Sequence, residues 1–176
     1  MPQVFISYSH VDQDFALYFA YRLSLYGINI WIDESRLFAG DVLHGEIRRG
    51  LEASDALVFI VSPDSLVSEN VTIEWTFFLE EFPNRLLIPV ICRSLGQKKL
   101  PDRISRLVYV NDFMKINGFS SGLYQILQSL KNRGLEINSS SGFSTGYMPT
   151  GKLRPFNILD PQLTLKSLSI LIDLLK

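Results

Sequence analysis

Residues 56–61 read Ala56-Leu57-Val58-Phe59-Ile60-Val61, an apolar run with no polar interruption. A strand in the middle of a parallel sheet is covered on both faces, so apolar side chains are needed on both sides of its pleat. The run has the length of a strand and is too short for a typical helix. We therefore predict a central strand of a parallel sheet at residues 56–61.

Further strand-like and helix-like segments alternate on both sides of this run. The predicted strands are residues 4–6, 28–32, 86–92 and, with a weaker pattern, 107–110. The predicted helices, chosen for apolar side chains at helical spacing, are residues 11–26, 42–53, 71–81 and 121–131. Alternation of this kind requires right-handed crossovers between parallel strands, and it predicts an α/β protein.

Composition narrows the class of protein. Of 176 residues, 47% are hydrophobic and 12% aromatic, and the formal net charge is −1. A nucleic-acid-binding surface or a polybasic membrane anchor needs concentrated positive charge, so neither is predicted. We expect a cytoplasmic protein, because no signal-peptide pattern opens the sequence and no apolar stretch approaches the roughly 20 residues of a membrane span. The single cysteine, Cys92, lies in an apolar run and is interpreted as a structural thiol.

The composition changes after Arg133. We predict a first domain at 1–133, a Ser- and Gly-rich linker at 134–159, and an apolar helix at 160–176. A helix with so few polar positions must bury itself against the first domain, against a partner, or within a further domain. Residues 146–152 have the spacing of a phosphate-binding loop, but Leu153 replaces the required hydroxyl residue, so triphosphate binding is not predicted.

Polar side chains follow three of the predicted strands. The first strand is followed by Ser7-Tyr8-Ser9-His10, the second by residues 33–41, and the third by residues 62–66, with Ser68 and Glu74 beyond them. Open parallel sheets bind ligands at the carboxyl ends of their strands, near the point where the strand order reverses. The sequence therefore predicts a binding site at this edge. With two histidines in the chain, a metal site is not predicted.

The same segments form three motifs in a fixed order. They are Phe5-Ile6-Ser7-Tyr8-Ser9; Trp31-Ile32-Asp33 followed by Leu37-Phe38-Ala39-Gly40-Asp41; and Val61-Ser62-Pro63-Asp64-Ser65-Leu66 followed by Ser68 and Glu74. In order and spacing they resemble the signatures of TIR (Toll/interleukin-1 receptor) domains, and the resemblance covers roughly residues 2–131. It implies a flavodoxin-like three-layer sandwich around a central parallel five-stranded sheet. The loop from Leu37 to Asp41 is similar to the family's BB loop.

The resemblance also implies a function. It is to the prokaryotic, NAD-cleaving type, which is activated by self-assembly through TIR–TIR contacts and acts in immune or antiphage signalling. Glu74 matches the family's catalytic glutamate. The residues expected to bind NAD beside Glu74 are Tyr8, Ser9, His10, Asp33, Phe38 and Gly40. NAD is then the substrate, no cofactor is required, and the product is ADP-ribose or a cyclic form of it.

One carboxylate is sufficient for this reaction. The nicotinamide of NAD is already a cationic leaving group, so its departure needs no general acid, whereas ordinary glycosidases use a second carboxyl group for that purpose. The remaining task is to stabilise a positively charged ribose, which a single glutamate can do by charge and hydrogen bonding. Glu74 is the candidate, and the nicotinamide ribose is expected between it and the loop at 37–41.

Several alternatives stand beside this hypothesis. In the family's motif a tryptophan lies four residues before the catalytic glutamate, and Asn70 occupies that position here. Trp75 directly follows Glu74 and cannot replace this tryptophan, because one residue is a step of about 100° around a helix. Glu74 also has a plain interpretation as a charge near a helix start, and Tyr8 as a core residue. A non-catalytic TIR–TIR interaction module is therefore the alternative function. A phosphoacceptor receiver domain is set aside, because Ser62-Pro63 follows the third strand where such a domain has an acceptor aspartate.

Overall fold

The computed structural model describes residues 1–32, 45–116 and 118–137. Within these ranges a parallel sheet has the strand order β2-β1-β3-β4. The strands are β1 (Gln3–Ser7), β2 (Asn29–Ile32), β3 (Ala56–Val61) and β4 (Leu86–Ile91). The helices are α1 (Gln13–Ser24), α2 (Gly45–Ala53), α3 (Glu69–Glu81), the short α4 (Asp102–Ser105) and α5 (Phe119–Asn132).

The sheet separates two hydrophobic cores. Because alternate side chains of a strand point to opposite faces, the even-numbered strand residues share one core with α1 and α5. The odd-numbered residues of β1, β3 and β4 share the other core with α2, α3 and α4. Every residue of β3 is buried, which confirms the prediction of a central strand covered on both sides. The predicted α/β class and its three layers are confirmed.

The predicted fifth strand is reduced to one bridge. Val110 pairs with Val90 in parallel orientation: its N–H donates to the Pro89 carbonyl at 2.9 Å and its carbonyl accepts from the Ile91 N–H at 2.8 Å. Continuing this ladder toward Val108 would require an N–H at position 89, and proline has none. The pairing therefore stops at Val110, and Val108 is 92% exposed.

Trp31 and Gly50 bring α2 close to the edge strand β2. A Cβ placed on Gly50 would lie 2.4 Å from Cε2 of the Trp31 indole, so only glycine allows this approach. Trp31 is half-buried against the core that β3 shares with α2 and α3. Trp31 is therefore a packing residue of this face of the sheet.

The boundaries of the predicted helices hold within a few residues, and the four-residue helix α4 was not predicted. Most of the predicted linker at 134–159, the whole of the predicted apolar helix at 160–176 and the phosphate-loop-like residues 146–152 lie outside the described residues, which end at 137. In the ranges that the structure describes, none of the helices has the length and apolar character to span a bilayer.

Candidate functional site

The reversal point of the sheet lies between β1 and β3. The chain passes from β1 to β2 on one side, whereas β3 and then β4 follow on the other. The loops after β1 and β3 consequently leave toward opposite faces, which opens a crevice at the carboxyl ends of the strands. The segments chosen as site candidates after β1 and β3 flank this crevice.

A buried serine–glutamate pair lies at this point. Ser7, the last residue of β1, follows Phe5 on the face that α3 covers. Its Oγ donates a hydrogen bond to Glu74 Oε2 at 2.5 Å. Ser7 is 1% and Glu74 5% exposed. The sequence prediction selects Glu74 but not this partner, although the alternation of side chains along β1 is a signal for it.

Local signals in α3 determine where Glu74 lies. Ser68 caps the helix, because its side chain accepts from the Val71 N–H at 3.4 Å. The buried face then contains Val71, Glu74, Trp75 and Phe78. Glu74 is thus a carboxylate among apolar side chains and not an exposed charge at a helix terminus, contrary to the plain interpretation. A buried carboxylate is costly unless it is hydrogen-bonded, so its environment requires a partner such as Ser7.

Trp75 is a core residue. It is 7% exposed, and its indole stacks near the Phe59 ring with centroids 6.3 Å apart and planes inclined by 20°. This agrees with the expectation that Trp75 does not replace the tryptophan that Asn70 displaces. The Phe59–Trp75 contact joins β3 to α3 on the same face as Glu74.

A second polar group lies on the other face of the same edge, and we call it the Asp12 cluster (Asp12, Ser62, Asp64 and Arg93). Ser62 Oγ donates to Asp12 Oδ2 at 2.5 Å, and Arg93 Nε donates to Asp12 Oδ1 at 2.9 Å. Arg93 also pairs with Asp64. Its hydrogen bonds to Asp12 and then to Asp64 raise the pKa of the Arg93 guanidinium. The cluster joins the segments after β1, β3 and β4, and sequence analysis missed it because those segments are distant along the chain.

Cys92 borders this cluster. Its Sγ lies 3.5 Å from the Val61 carbonyl oxygen and 3.8 Å from Asp12 Oδ1. Burial, followed by the nearby charge of Asp12, raises the pKa of the Cys92 thiol to about 12. The thiol is therefore protonated at neutral pH, in agreement with the interpretation of Cys92 as structural.

The remaining predicted site residues are distributed unevenly. Tyr8 is 8% exposed and packs in the core with α1 and α5, while Ser9 is half-buried and His10 exposed at the start of the following turn. The roles of these three residues in binding stay predictions. Asp33, Phe38 and Gly40 lie outside the described residues. Among the residues that are described, no group of three His, Cys, Asp or Glu side chains is arranged as a metal site.

Comparison with known protein families identifies the family to which this chain belongs. The family model of the TIR domain matches residues 4–127. This chain belongs to the TIR domain family. The match includes β1, β3 and α3, and with them both Ser7 and Glu74. The resemblance found in the sequence motifs is confirmed at the level of the family.

A solved TIR domain shares the fold of this chain. The TIR domain of the Toll-related receptor TRR-2 from Hydra magnipapillata superposes with a TM-score of 0.58 at 16% identity, covering 73% of this chain and 98% of the other. The TIR domains of the activated Roq1 resistosome, which recognises the pathogen effector XopQ, give a TM-score of 0.45 at 16% identity, with 76% of each chain covered. Among curated proteins, none matches this chain significantly.

Proposed function

We propose that this TIR domain is an NAD nucleosidase in which Glu74 stabilises the ribose cation. The observation that carries the proposal is the buried Glu74 carboxylate, which Ser7 holds at the end of β1 beside the reversal point of the sheet. A carboxylate in a dry environment interacts more strongly with a developing positive charge than one in water does. The family membership and the match of Glu74 to the catalytic position of NAD-cleaving relatives add support.

The chemistry follows from the substrate. The bond between C1′ of the ribose and N1 of nicotinamide breaks, and its electron pair neutralises the pyridinium ring. Positive charge then develops on C1′ and the ring oxygen, where Glu74 stabilises it. Attack of water on C1′ with loss of a proton gives ADP-ribose, whereas attack by a nucleophile within the same molecule gives a cyclic product.

A second function has an observation in its favour. Glu74 is 95% covered and bonded to Ser7, and such a pair also locks α3 onto β1. In a TIR domain that acts only through contacts with other TIR domains, the Ser7–Glu74 hydrogen bond would serve only to hold α3 against β1. The two functions differ in whether residue 74 must be charged. Holding α3 against β1 needs only a hydrogen-bond acceptor, whereas catalysis needs the negative charge of a carboxylate.

Replacement of Glu74 by glutamine distinguishes the catalytic function from the purely structural one. Glutamine keeps the shape and the acceptor for Ser7 but loses the charge. We expect the purified protein to release nicotinamide from NAD, and Glu74→Gln to reduce kcat by about 100-fold or more. The matched control is Glu81→Gln, a change at the exposed end of the same helix, which should leave turnover unchanged. Equal turnover by wild type and a folded Glu74→Gln would overturn the enzymatic proposal.

A further inference from the structure

Ser7 contacts Glu74 from a rigid position. It ends a strand that is paired on both sides, with Ile6 opposite Ile32 of β2 and Ser7 opposite Phe59 of β3. Glu74, by contrast, is a long side chain on a helix whose buried face is otherwise apolar. A glutamate side chain has several rotamers, and a donor at a fixed position favours the one in which the carboxylate can accept its hydrogen bond.

We infer that Ser7 is a positioning residue for the reaction of Glu74, an inference that rests on the proposed function. By binding Oε2, the Ser7 hydroxyl fixes the carboxylate at the carboxyl end of β1, on the buried face that Glu74 shares with Trp75 and Phe78. Electrostatic stabilisation depends on a charge that is already oriented when the transition state forms. Ser7 therefore acts on kcat and leaves the binding of NAD almost unchanged.

The surroundings of Ser7 allow a test in which only the hydroxyl differs. Threonine and valine have nearly the same shape, and both add a methyl group at this 1% exposed position. Any effect of crowding is therefore common to Ser7→Thr and Ser7→Val, while only threonine retains the donor to Glu74. Ser7→Ala removes the donor without adding volume, and it provides a second comparison if the larger residues impair folding.

The experiment measures kcat and KM for NAD in the full chain, alongside the thermal midpoint of each variant. We expect Ser7→Thr to keep kcat within about fivefold of wild type, and Ser7→Val and Ser7→Ala to lose about 10- to 100-fold in kcat with KM changed by less than about threefold. A merely structural hydroxyl would alter the thermal midpoint without this division between kcat and KM.

The outcomes distinguish failure of the positioning role of Ser7 from failure of the proposed NAD nucleosidase function. If wild type releases nicotinamide but Ser7→Thr and Ser7→Val have equal kcat, or if the loss appears in KM, the positioning role is overturned and the proposed function stands. If wild-type protein releases no nicotinamide at the concentrations where it assembles, the proposed function fails and the role of Ser7 fails with it.

Discussion

At the scale of single residues, the reactivity of Cys92 can be predicted from its surroundings. Because its pKa is raised to about 12, its thiolate is scarce at any pH where the protein is handled. We expect iodoacetamide to modify the native protein very slowly up to about pH 10, and the urea-unfolded chain to react with the ordinary thiol pKa of about 8.5. Intact-mass spectrometry measures this directly, because the chain has one cysteine. A native rate that levels off above about pH 9, as it does for an ordinary thiol, would contradict the prediction.

Arg93 should matter more for stability than a surface arginine does. Its partner Asp12 is 3% exposed, so Arg93→Gln leaves a buried carboxylate without its counter-charge. We expect a loss of about 1–3 kcal/mol in the free energy of unfolding, toward the lower end because Arg93 itself is 41% exposed.

The control for Arg93 is Arg103→Gln. Arg103 pairs with Glu80 at 2.9 Å, but the two side chains are 49% and 58% exposed. Exposed pairs of this kind contribute about 0–1 kcal/mol. Urea unfolding of both variants checks the contrast, and equal losses would show that the Asp12 cluster contributes no more than a surface pair.

The candidate site was only partly predictable from the sequence. Glu74 was selected by its spacing from Ser68 within a family motif, and the motif contains no information on burial. Its partner Ser7 lies 67 residues away along the chain, and the two meet only because Ser7 shares the face of Phe5. The Asp12 cluster is more distant still, since Arg93 follows β4 and Asp12 precedes α1. Contacts between residues so far apart in the sequence can be predicted only when the order of the strands in the sheet is known, and the sequence alone does not give that order.

At the scale of elements, the approach of α2 to β2 depends on Gly50. A methyl group at this position would overlap the Trp31 indole. We expect Gly50→Ala to lower the free energy of unfolding by about 1–3 kcal/mol, in spite of the higher helix propensity of alanine. Gly45→Ala in the same helix, where a Cβ would meet none of the described residues within 4 Å, should be neutral or stabilising by up to about 1 kcal/mol. Thermal unfolding of both variants tests this, and a neutral Gly50→Ala would contradict the packing argument.

Elements were predicted well where their pattern is local. The central strand is a continuous apolar run, and the long helices have regular spacing, so both follow from the sequence itself. The fifth strand was predicted from Leu107 to Val110 on its β-prone composition, and the structure leaves one bridge at Val110. The reason lies on another strand, because Pro89 lacks the N–H that the ladder needs. The helix α4 is too short to produce a periodic pattern.

At the scale of the whole molecule, the proposed activity should depend on protein concentration. If assembly of TIR domains activates the site, nicotinamide release per molecule should rise over a roughly hundredfold range of concentration and should not stay constant. Inactive Glu74→Gln protein provides a sharp test, because in excess it should raise the turnover of dilute wild type by joining its assemblies. Turnover strictly proportional to wild-type concentration, and unaffected by the variant, would show that a single copy is sufficient.

Pro89 also affects whether a strand of another chain can pair with β4. Unpaired strand borders are the usual places where one polypeptide templates fibrous growth on another, and natural proteins often block them with proline. In the middle of β4, Pro89 removes a donor on the side that faces away from β3. A strand of another chain that paired with this edge of β4 would lack the hydrogen bond from residue 89. The same missing donor limits the pairing of the protein's own segment to Val110. Pro89, which limits the pairing to Val110, thus also disfavours the addition of a foreign strand along β4.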